Sequence, residues 1–385
     1  MSALTTVTAA VQLVGVVVGV VFTVQLVGGL LGALGYRPQR SDRKAENVRL
    51  VIPTVAAERV RDALEATIEH TSHNFPEYDL FCLVDEGSDL QAELEACDLV
   101  TTVVVPDDYT CAATAKGRAI NYFVETVVGP EPDYWYGFLD DDNRILDESF
   151  LYEIPYYEQR GYRALNPVLE PRQGRSRLTY MADHIRYVDD IALYRLFTGV
   201  LGRPYLGFHG ELTCVRGDVL AAIGFDRDTI VEDFGFALEL VKRDVKVWQS
   251  ATRVSVLSPH DLSSFFAQRA RWYVGIARYL PRAPLPTRLL AGTRVLVWTV
   301  SITSSWLLLP LWLLGYGLSL PLWFVGILLA GTLLYVGAIA IGAVRIGGLT
   351  GLALLALVPL YASLEHLVPL YAAVTRDREF VVIEK

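Results

Sequence analysis

The sequence predicts an α/β domain built on a mainly parallel sheet and flanked by apolar helices of membrane-spanning length. Three observations carry that prediction. Short apolar runs alternate with helical stretches between residues 48 and 139, the order that builds a parallel sheet with helices on both faces. Acidic residues close two of the runs, at Asp85 and at Asp140, Asp141 and Asp142, where open α/β sheets bind their ligands. Long uncharged stretches, including 9–34 and 295–343, occupy the two ends of the chain.

Taken in order, residues 48–55 read as a strand, 58–70 as a helix, 79–84 and 99–105 as two further strands, 114–127 as a helix and 134–139 as a fourth strand. Residues 178–201 form a long helix with an apolar stripe of Ile185, Val188, Ile191, Leu193, Leu196 and Phe197. That helix suits either core packing or a position along a membrane surface. An amphipathic helix, 234–241, follows Glu232-Asp233. Residues 273–292 mix Tyr273, Ile276 and Tyr279 with arginines and prolines, an interfacial composition.

The 385 residues are 52% hydrophobic, and the mean hydropathy of +0.33 is too high for an ordinary soluble enzyme. The run 9–34 exceeds the roughly 7–15 residues of a signal-peptide core and is long enough to cross a bilayer at about 20 residues per span. It predicts a retained transmembrane helix. Two more spans are expected near 293–314 and 321–344, around a break from Gly315 to Pro321. A third apolar run, 349–374, is interrupted by Pro359, Glu365 and His366. Ionisable residues in such a run face protein or water, so it fits a spanning, re-entrant or interfacial segment.

Arg37, Arg40, Arg43 and Lys44 follow the first span, and Arg278, Arg282, Arg288 and Arg294 precede the second. The positive-inside rule then places the intervening domain in the cytoplasm. The expected layout is a membrane helix in 1–36, the α/β domain in 37–272, an interfacial segment in 273–292, two or three membrane helices in 293–375 and a tail, 376–385. Three C-terminal spans would put that tail outside, whereas its basic residues and the strand-like Phe380 to Ile383 favour inside. A net charge of −9 and a pI near 5.3, with no basic stripe, exclude nucleic acid as a partner. The four cysteines (82, 97, 111, 214) have no metal or redox spacing and read as reduced core filler.

The chemistry-bearing residues form four groups. Asp140 and Asp142, read as closing a strand, would share one face because strand side chains repeat every two residues, and such a pair suits a hard cation, Mg²⁺ or Mn²⁺, with diphosphate oxygens. Asp85 can accept from a base or a ribose; Glu86-Gly87 beside it also makes an ordinary turn. Lys116-Gly117-Arg118 opens a helix, where cations and backbone amides suit phosphate and where plain surface charge is the alternative. Glu232-Asp233 opens another helix; the two acids serve as caps, or Asp233 serves as a general base. His209-Gly210-Glu211 precedes that helix. Gly210 permits close approach of backbone to a ligand, and His209 reads as a sugar contact or a satisfied core histidine. Gln268, Arg271 and Trp272 share one helix side at i, i+3 and i+4, offering a phosphate donor in Arg271 and a stacking face in Trp272.

With these residues in place, the chain resembles the family 2 membrane glycosyltransferases of the cellulose and hyaluronan synthase clan. The resemblance rests on Asp85, Asp140-Asp141-Asp142, Val231-Glu232-Asp233 and Gln268-Arg-Ala-Arg-Trp272. It is similar in more detail to the Egghead-type β-1,4-mannosyltransferases. That likeness runs through Lys116 to Ala119, Ala182 to Arg186 with Asp189-Asp190, His209-Gly210, Ser258-Pro259 and Phe265 to Gln268. It covers roughly residues 100–280; the family's opening Pro-x-Tyr-Asn-Glu-like turn is here Pro53 to Ala57. The resemblance implies a GT-A, Rossmann-like domain, an inverting mechanism, a divalent cation at Asp140 and Asp142, and Asp233 as base. Asp85, Lys116, Arg118, Asp140, Gln268 and Arg271 would hold a nucleotide-diphosphate sugar, GDP-mannose ahead of a UDP-hexose. His209, Gly210, Glu232 and Trp272 would meet a lipid or glycolipid acceptor. Two alternatives remain at this stage, a processive polysaccharide synthase and an inactive membrane scaffold.

Overall fold

The computed structural model describes residues 3–302 and 322–375. The expected break at Gly315 to Pro321, most of the span 293–314 and the tail 376–385 lie outside the described residues. The chain divides into two compact units. A sheet unit takes Gly35–Arg172 and Phe197–Leu257; a helical unit takes 3–34, Gln173–Leu196, 258–302 and 322–375.

Eight strands make the sheet: β1 (Val48–Pro53), β2 (Asp79–Asp85), β3 (Thr101–Val105), β4 (Trp135–Phe138), β5 (Arg144–Ile145), β6 (Tyr162–Arg172), β7 (Thr213–Arg216) and β8 (Lys246–Leu257). Their spatial order is β3-β2-β1-β4-β7-β6-β8-β5. β1 pairs parallel with β2 and β4, β2 with β3, and β6 with β8. β7 runs antiparallel between β4 and β6, and β5 runs antiparallel to β8. The carboxyl ends of β1, β2, β3, β4, β6 and β8 therefore share one edge.

The first four strands and their helices fall within a few residues of expectation. The sequence reading of 58–70 resolves into a 3-10 turn, Glu58–Val60, and a helix, Arg61–Asn74. That of 114–127 resolves into Ala115–Phe123 and a π-helical turn, Val124–Val128. Four strands lie beyond those expected. β6 contains Pro167 and Pro171, which remove ladder donors and disguise a strand; its register with β8 shifts between Asn166 and Val168.

Both faces of the sheet are buried, which is why the parallel strands read as continuous apolar runs. On one face Leu50, Ile52, Val84, Trp135, Leu169, Trp248 and Val254 pack with Leu64, Ile68, Phe150 and Ile154. On the other, Val51, Leu83, Phe138, Ala164 and Val247 pack with Phe123, Phe236 and Leu240. Of the four cysteines expected as core filler, Cys82 and Cys214 are buried, whereas Cys97 and Cys111 are only half-buried; all four are unbridged.

The helical unit comprises Ala3–Gly32, Arg177–Asp189 with the π-helical stretch Asp190–Val200 that follows it as far as Leu196, Leu262–Tyr279, Leu285–Ile302, Leu322–Ile346, Gly348–Leu364 and Val368–Thr375. Ala3–Gly32 is long and apolar enough to cross a membrane over Thr6–Gly32. Small residues let these helices approach closely. A Cβ on Gly29 would lie 2.7 Å from Leu193 and one on Gly32 2.8 Å from Leu196, so the stripe of 178–201 packs on the first helix there.

Candidate active site

The carboxyl edge of the sheet gathers the acidic and basic groups expected there. Asp85 ends β2 and pairs with Arg118, whose Nη1 lies 2.6 Å from Oδ1. Arg118 also donates to the carbonyls of Tyr109 and Pro106, at 3.2 and 2.5 Å, so it is fixed before any ligand binds. Burial raises the Asp85 carboxyl above its usual range, and Arg118 offsets part of that rise.

Lys116 is the hub. Its Nζ lies 2.5 Å from Asp140 Oδ1 and 3.6 Å from Glu232 Oε1, and donates to the Gly210 carbonyl at 3.5 Å. A Cβ on Gly210 would sit 3.3 Å from Lys116 Nζ and 3.6 Å from Asp233 Oδ2. Lys116, Asp140, Gly210, Glu232 and Asp233 thus meet at one point. Burial works against the Lys116 ammonium, yet Asp140 and Glu232 outweigh it and raise its pKa.

The acidic triplet departs from the strand geometry expected. β4 stops at Phe138, and Asp140 to Asn143 form a tight turn, with Asn143 N donating to the Asp140 carbonyl at 3.1 Å. Asp140 and Asp142 therefore do not share a face through strand alternation. Asp140 is half-buried against Lys116, whereas Asp142 is 4% exposed and accepts from Asn143 Nδ2 at 3.1 Å. Asp141, not singled out beforehand, anchors the turn. Its carboxylate accepts from Thr54 Oγ1 at 3.1 Å and its carbonyl from Thr67 Oγ1 at 3.0 Å.

Asp233 lies in the first turn of the helix Glu232–Lys242, and its Oδ1 accepts from Phe234 N at 2.7 Å. Burial, then the charges of Glu232 and, more weakly, Glu211, push its pKa up to about 7, with Lys116 opposing. Glu211 is the second group that the sequence reading did not assign; its position after Gly210 was the available signal. His209 is buried, and its backbone N donates to Asn166 Oδ1 at 2.8 Å. Ala56, Ala115 and Leu212, all with positive φ, stand beside Thr54, Lys116 and Glu211. Strain of this kind, about 1–3 kcal/mol per residue, is typical of functional loops.

Gln268, Arg271 and Trp272 share the helix Leu262–Tyr279 of the helical unit. Between them Arg269 is 2% exposed. It pairs with Asp183 and, at 3.1 Å, with Glu365. It also donates to Gln268 Oε1 at 3.0 Å and lies 4.4 Å from the Trp272 ring centroid.

A family model described as glycosyl transferase family group 2 matches residues 137–362, more than half of the chain and the span that holds the acidic turn, Asp233 and Gln268 to Trp272. The chain belongs to this glycosyl transferase family. No curated protein matches it. Among solved structures, a mannosyltransferase from Pyrobaculum calidifontis, PcManGT, in complex with GDP-Man and Mn²⁺, is similar at a TM-score of 0.55 and 13% identity, covering 95% of this chain and all of that one. S. aureus TarS 1–349 in complex with UDP-GlcNAc is matched at a TM-score of 0.38 and 12% identity, over 88% of this chain and 95% of that one.

For a glycosyl transferase, the donor set of the acidic turn bears on a divalent cation. Mg²⁺ and Mn²⁺ use one or two carboxylates and complete their shell with substrate phosphates rather than a protein cage. Asp140, half-buried at the carboxyl edge, fits that role. No group of three or more His, Cys, Asp or Glu side chains placed to hold a metal occurs among the described residues, so the diphosphate would have to supply the remaining ligands.

Proposed function

We propose that this chain is an integral membrane, inverting hexosyltransferase with its sheet unit in the cytoplasm. It moves a hexose, mannose in the first instance, from a nucleotide-diphosphate sugar to a lipid-linked or glycolipid acceptor. One observation carries the reading. A buried carboxylate, Asp233, sits beside a lysine that is itself paired with Asp140 of the acidic turn. With Asp233 as proton acceptor and Lys116 as diphosphate-binding group, the two would act within one side-chain length of each other, as displacement at an anomeric carbon requires.

In the proposed reaction the acceptor hydroxyl oxygen attacks the anomeric carbon, the carbon–oxygen bond to the diphosphate breaks, and the nucleoside diphosphate leaves. The hydroxyl proton passes to Asp233. A carboxylate with its pKa near 7 is a far better base than an ordinary aspartate and is still ionised in a useful fraction at neutral pH. Asp85 and Arg118 would hold the base and ribose end, and Lys116 the phosphates. Asp140, with Asp142 behind it, would hold a Mg²⁺ or Mn²⁺ ion, which when bound neutralises charge on the leaving diphosphate. His209, Gly210, Glu232 and Trp272 are proposed to meet the acceptor, and Gln268 and Arg271 to meet the donor.

The preference for GDP-mannose over a UDP-hexose rests on the Egghead-type residue pattern and on the GDP-Man and Mn²⁺ held by the PcManGT structure. The membrane assignment rests on Thr6–Gly32 and on the arginines that flank the apolar runs. The test is direct. Purified protein is offered GDP-mannose, UDP-glucose, UDP-GlcNAc and UDP-galactose with Mg²⁺ or Mn²⁺, and release of nucleoside diphosphate is followed. Release from one of these, lost with EDTA, supports the reading; release from none under any metal contradicts it.

A further inference from the structure

Two amides are buried where a sheet face ordinarily carries apolar side chains. Asn166 of β6 is paired with Gln249 of β8, two positions past Ala164 and Val247. Residues two apart on one strand share a face. Both amides therefore lie on the face where Ala164 and Val247 pack with Phe236 and Leu240 of the Asp233 helix. Asn166 is 0% exposed and Gln249 1%. Burying such groups costs free energy unless their donors and acceptors are satisfied, a demand that an apolar pair would not make.

The bonds of the pair meet that demand and lead out of the strands. Asn166 Nδ2 donates to Gln249 Oε1 at 3.0 Å and to the Pro167 carbonyl at 3.3 Å. Gln249 Nε2 donates to the same carbonyl at 2.6 Å, at the point where the register of β6 against β8 shifts. With Nδ2 so engaged, the orientation of the amide is fixed, and its Oδ1 accepts from the backbone N of His209 at 2.8 Å. The β6–β7 ladder ends at Leu165 and Cys214, so the Asn166 side chain takes hold of the chain where ladder bonds stop. A fully satisfied buried network of this kind specifies one arrangement of what it holds.

Asn166 holds the segment that meets the reacting groups. Thr213 Oγ1 donates to the His209 carbonyl, so His209 is tied at its backbone N and at its carbonyl. The next carbonyl, that of Gly210, accepts from Lys116 Nζ at 3.5 Å, and a Cβ on Gly210 would lie 3.6 Å from Asp233 Oδ2. Leu212 closes the segment with a φ of 53°, a left-handed conformation that persists only where surrounding bonds determine it. We propose that Asn166, with Thr213, is a positioning residue for the transfer reaction: through the His209 backbone it sets where Gly210 stands against Lys116 and Asp233. The role rests on the glycosyltransferase reading, which gives proton transfer to Asp233 and the diphosphate to Lys116. A misplacement of about 1 Å at such groups can cost about a hundredfold in rate.

The test compares full-length wild type in nonionic detergent with Asn166→Leu, Asn166→Asp, Thr213→Val and Ile154→Val. Nucleoside diphosphate release is followed with Mn²⁺ and whichever of GDP-mannose, UDP-glucose, UDP-GlcNAc and UDP-galactose wild type consumes. Affinity for the matching GDP or UDP and Tm are measured beside it. Asn166→Leu keeps the volume and loses the acceptor for His209 N. Its kcat should fall about tenfold or more, with KM and nucleotide affinity within about twofold of wild type. Asn166→Asp keeps an acceptor there and should recover part of the loss. Thr213→Val keeps the β-branched shape, should lower kcat in the same way, and carries the test if Asn166→Leu does not fold. Ile154 is buried on the opposite face, so Ile154→Val should lower Tm and leave kcat unchanged. Wild-type kcat in Asn166→Leu or Thr213→Val overturns the proposal. So does an equal kcat loss in Ile154→Val, which would trace the effect to stability, or a loss carried by KM and nucleotide affinity, which would assign the segment to donor binding. Those results leave the glycosyltransferase reading standing. Wild type that consumes none of the four sugars defeats that reading, and this role with it.

Discussion

Asp233 is held in a state that costs stability and serves the proposed chemistry. Its native pKa, near 7, lies above the ordinary 3.8, so the folded protein binds that proton more tightly than the unfolded chain between those values. The contribution to stability is therefore present at low pH and falls as pH rises through that window. Asp233→Asn should raise Tm markedly at pH 8 and far less at pH 5, by thermal unfolding in detergent. The rate should change in the opposite sense, with kcat rising with pH along a limb near 7 as Asp233 ionises; a flat profile from pH 5.5 to 8 would remove Asp233 from the reaction. At the acidic turn, Asp142→Ala should weaken Mn²⁺-dependent GDP binding. EDTA should abolish that difference by weakening wild type to the same level. Unchanged affinity in the variant, with EDTA still weakening wild type, would leave Asp140 as the protein's metal ligand. That Asp85, Lys116 and Asp233 lie at element ends, and Asp140 just past one, was legible from sequence. What each touches was not. Lys116–Asp140, Arg118–Asp85 and Thr54–Asp141 span 24 to 87 residues of chain, and no local spacing reports such contacts.

The elements divide by how strongly local pattern specifies them. β1 to β4 are uninterrupted apolar runs ending in turn residues, and their positions follow from that alone. β6 carries two prolines and a register shift; β7 has four residues and β5 only two. Their strand state comes from neighbours rather than propensity. The helix Leu262–Tyr279 was legible as a carrier of Gln268, Arg271 and Trp272, yet its anchor, Arg269, was not. Glu365, which reads in sequence as an intruder in an apolar run, is explained by that arginine and by Tyr335, whose hydroxyl donates to it at 2.8 Å. Arg269→Met strips the charge partner from buried Asp183, and breaking a buried pair typically costs about 3–5 kcal/mol. A fall in Tm is expected, and restoring neutrality with Asp183→Asn in the same chain should recover part of it. An Arg269→Met protein with wild-type Tm would contradict the buried-pair account.

For the molecule as a whole, the proposed path runs from a cytoplasmic nucleotide sugar to an acceptor held at the bilayer. The helices Ala3–Gly32 and Leu322–Ile346 are rich in Gly, Ala, Val and Leu, and a polymer-conducting pore needs a polar lining. The product is therefore expected to partition into organic solvent with one or a few sugars added; label in a long water-soluble polymer would favour a processive synthase. The central claim, that Asp233 takes the proton from the acceptor, is tested most directly by one paired measurement. Transfer of labelled hexose into the lipid fraction and donor affinity are both measured for wild type and Asp233→Asn. Loss of transfer to below a few per cent with donor affinity unchanged within about twofold is predicted, because a base acts in the transition state and not on the bound donor. Transfer retained in Asp233→Asn above that level would contradict it.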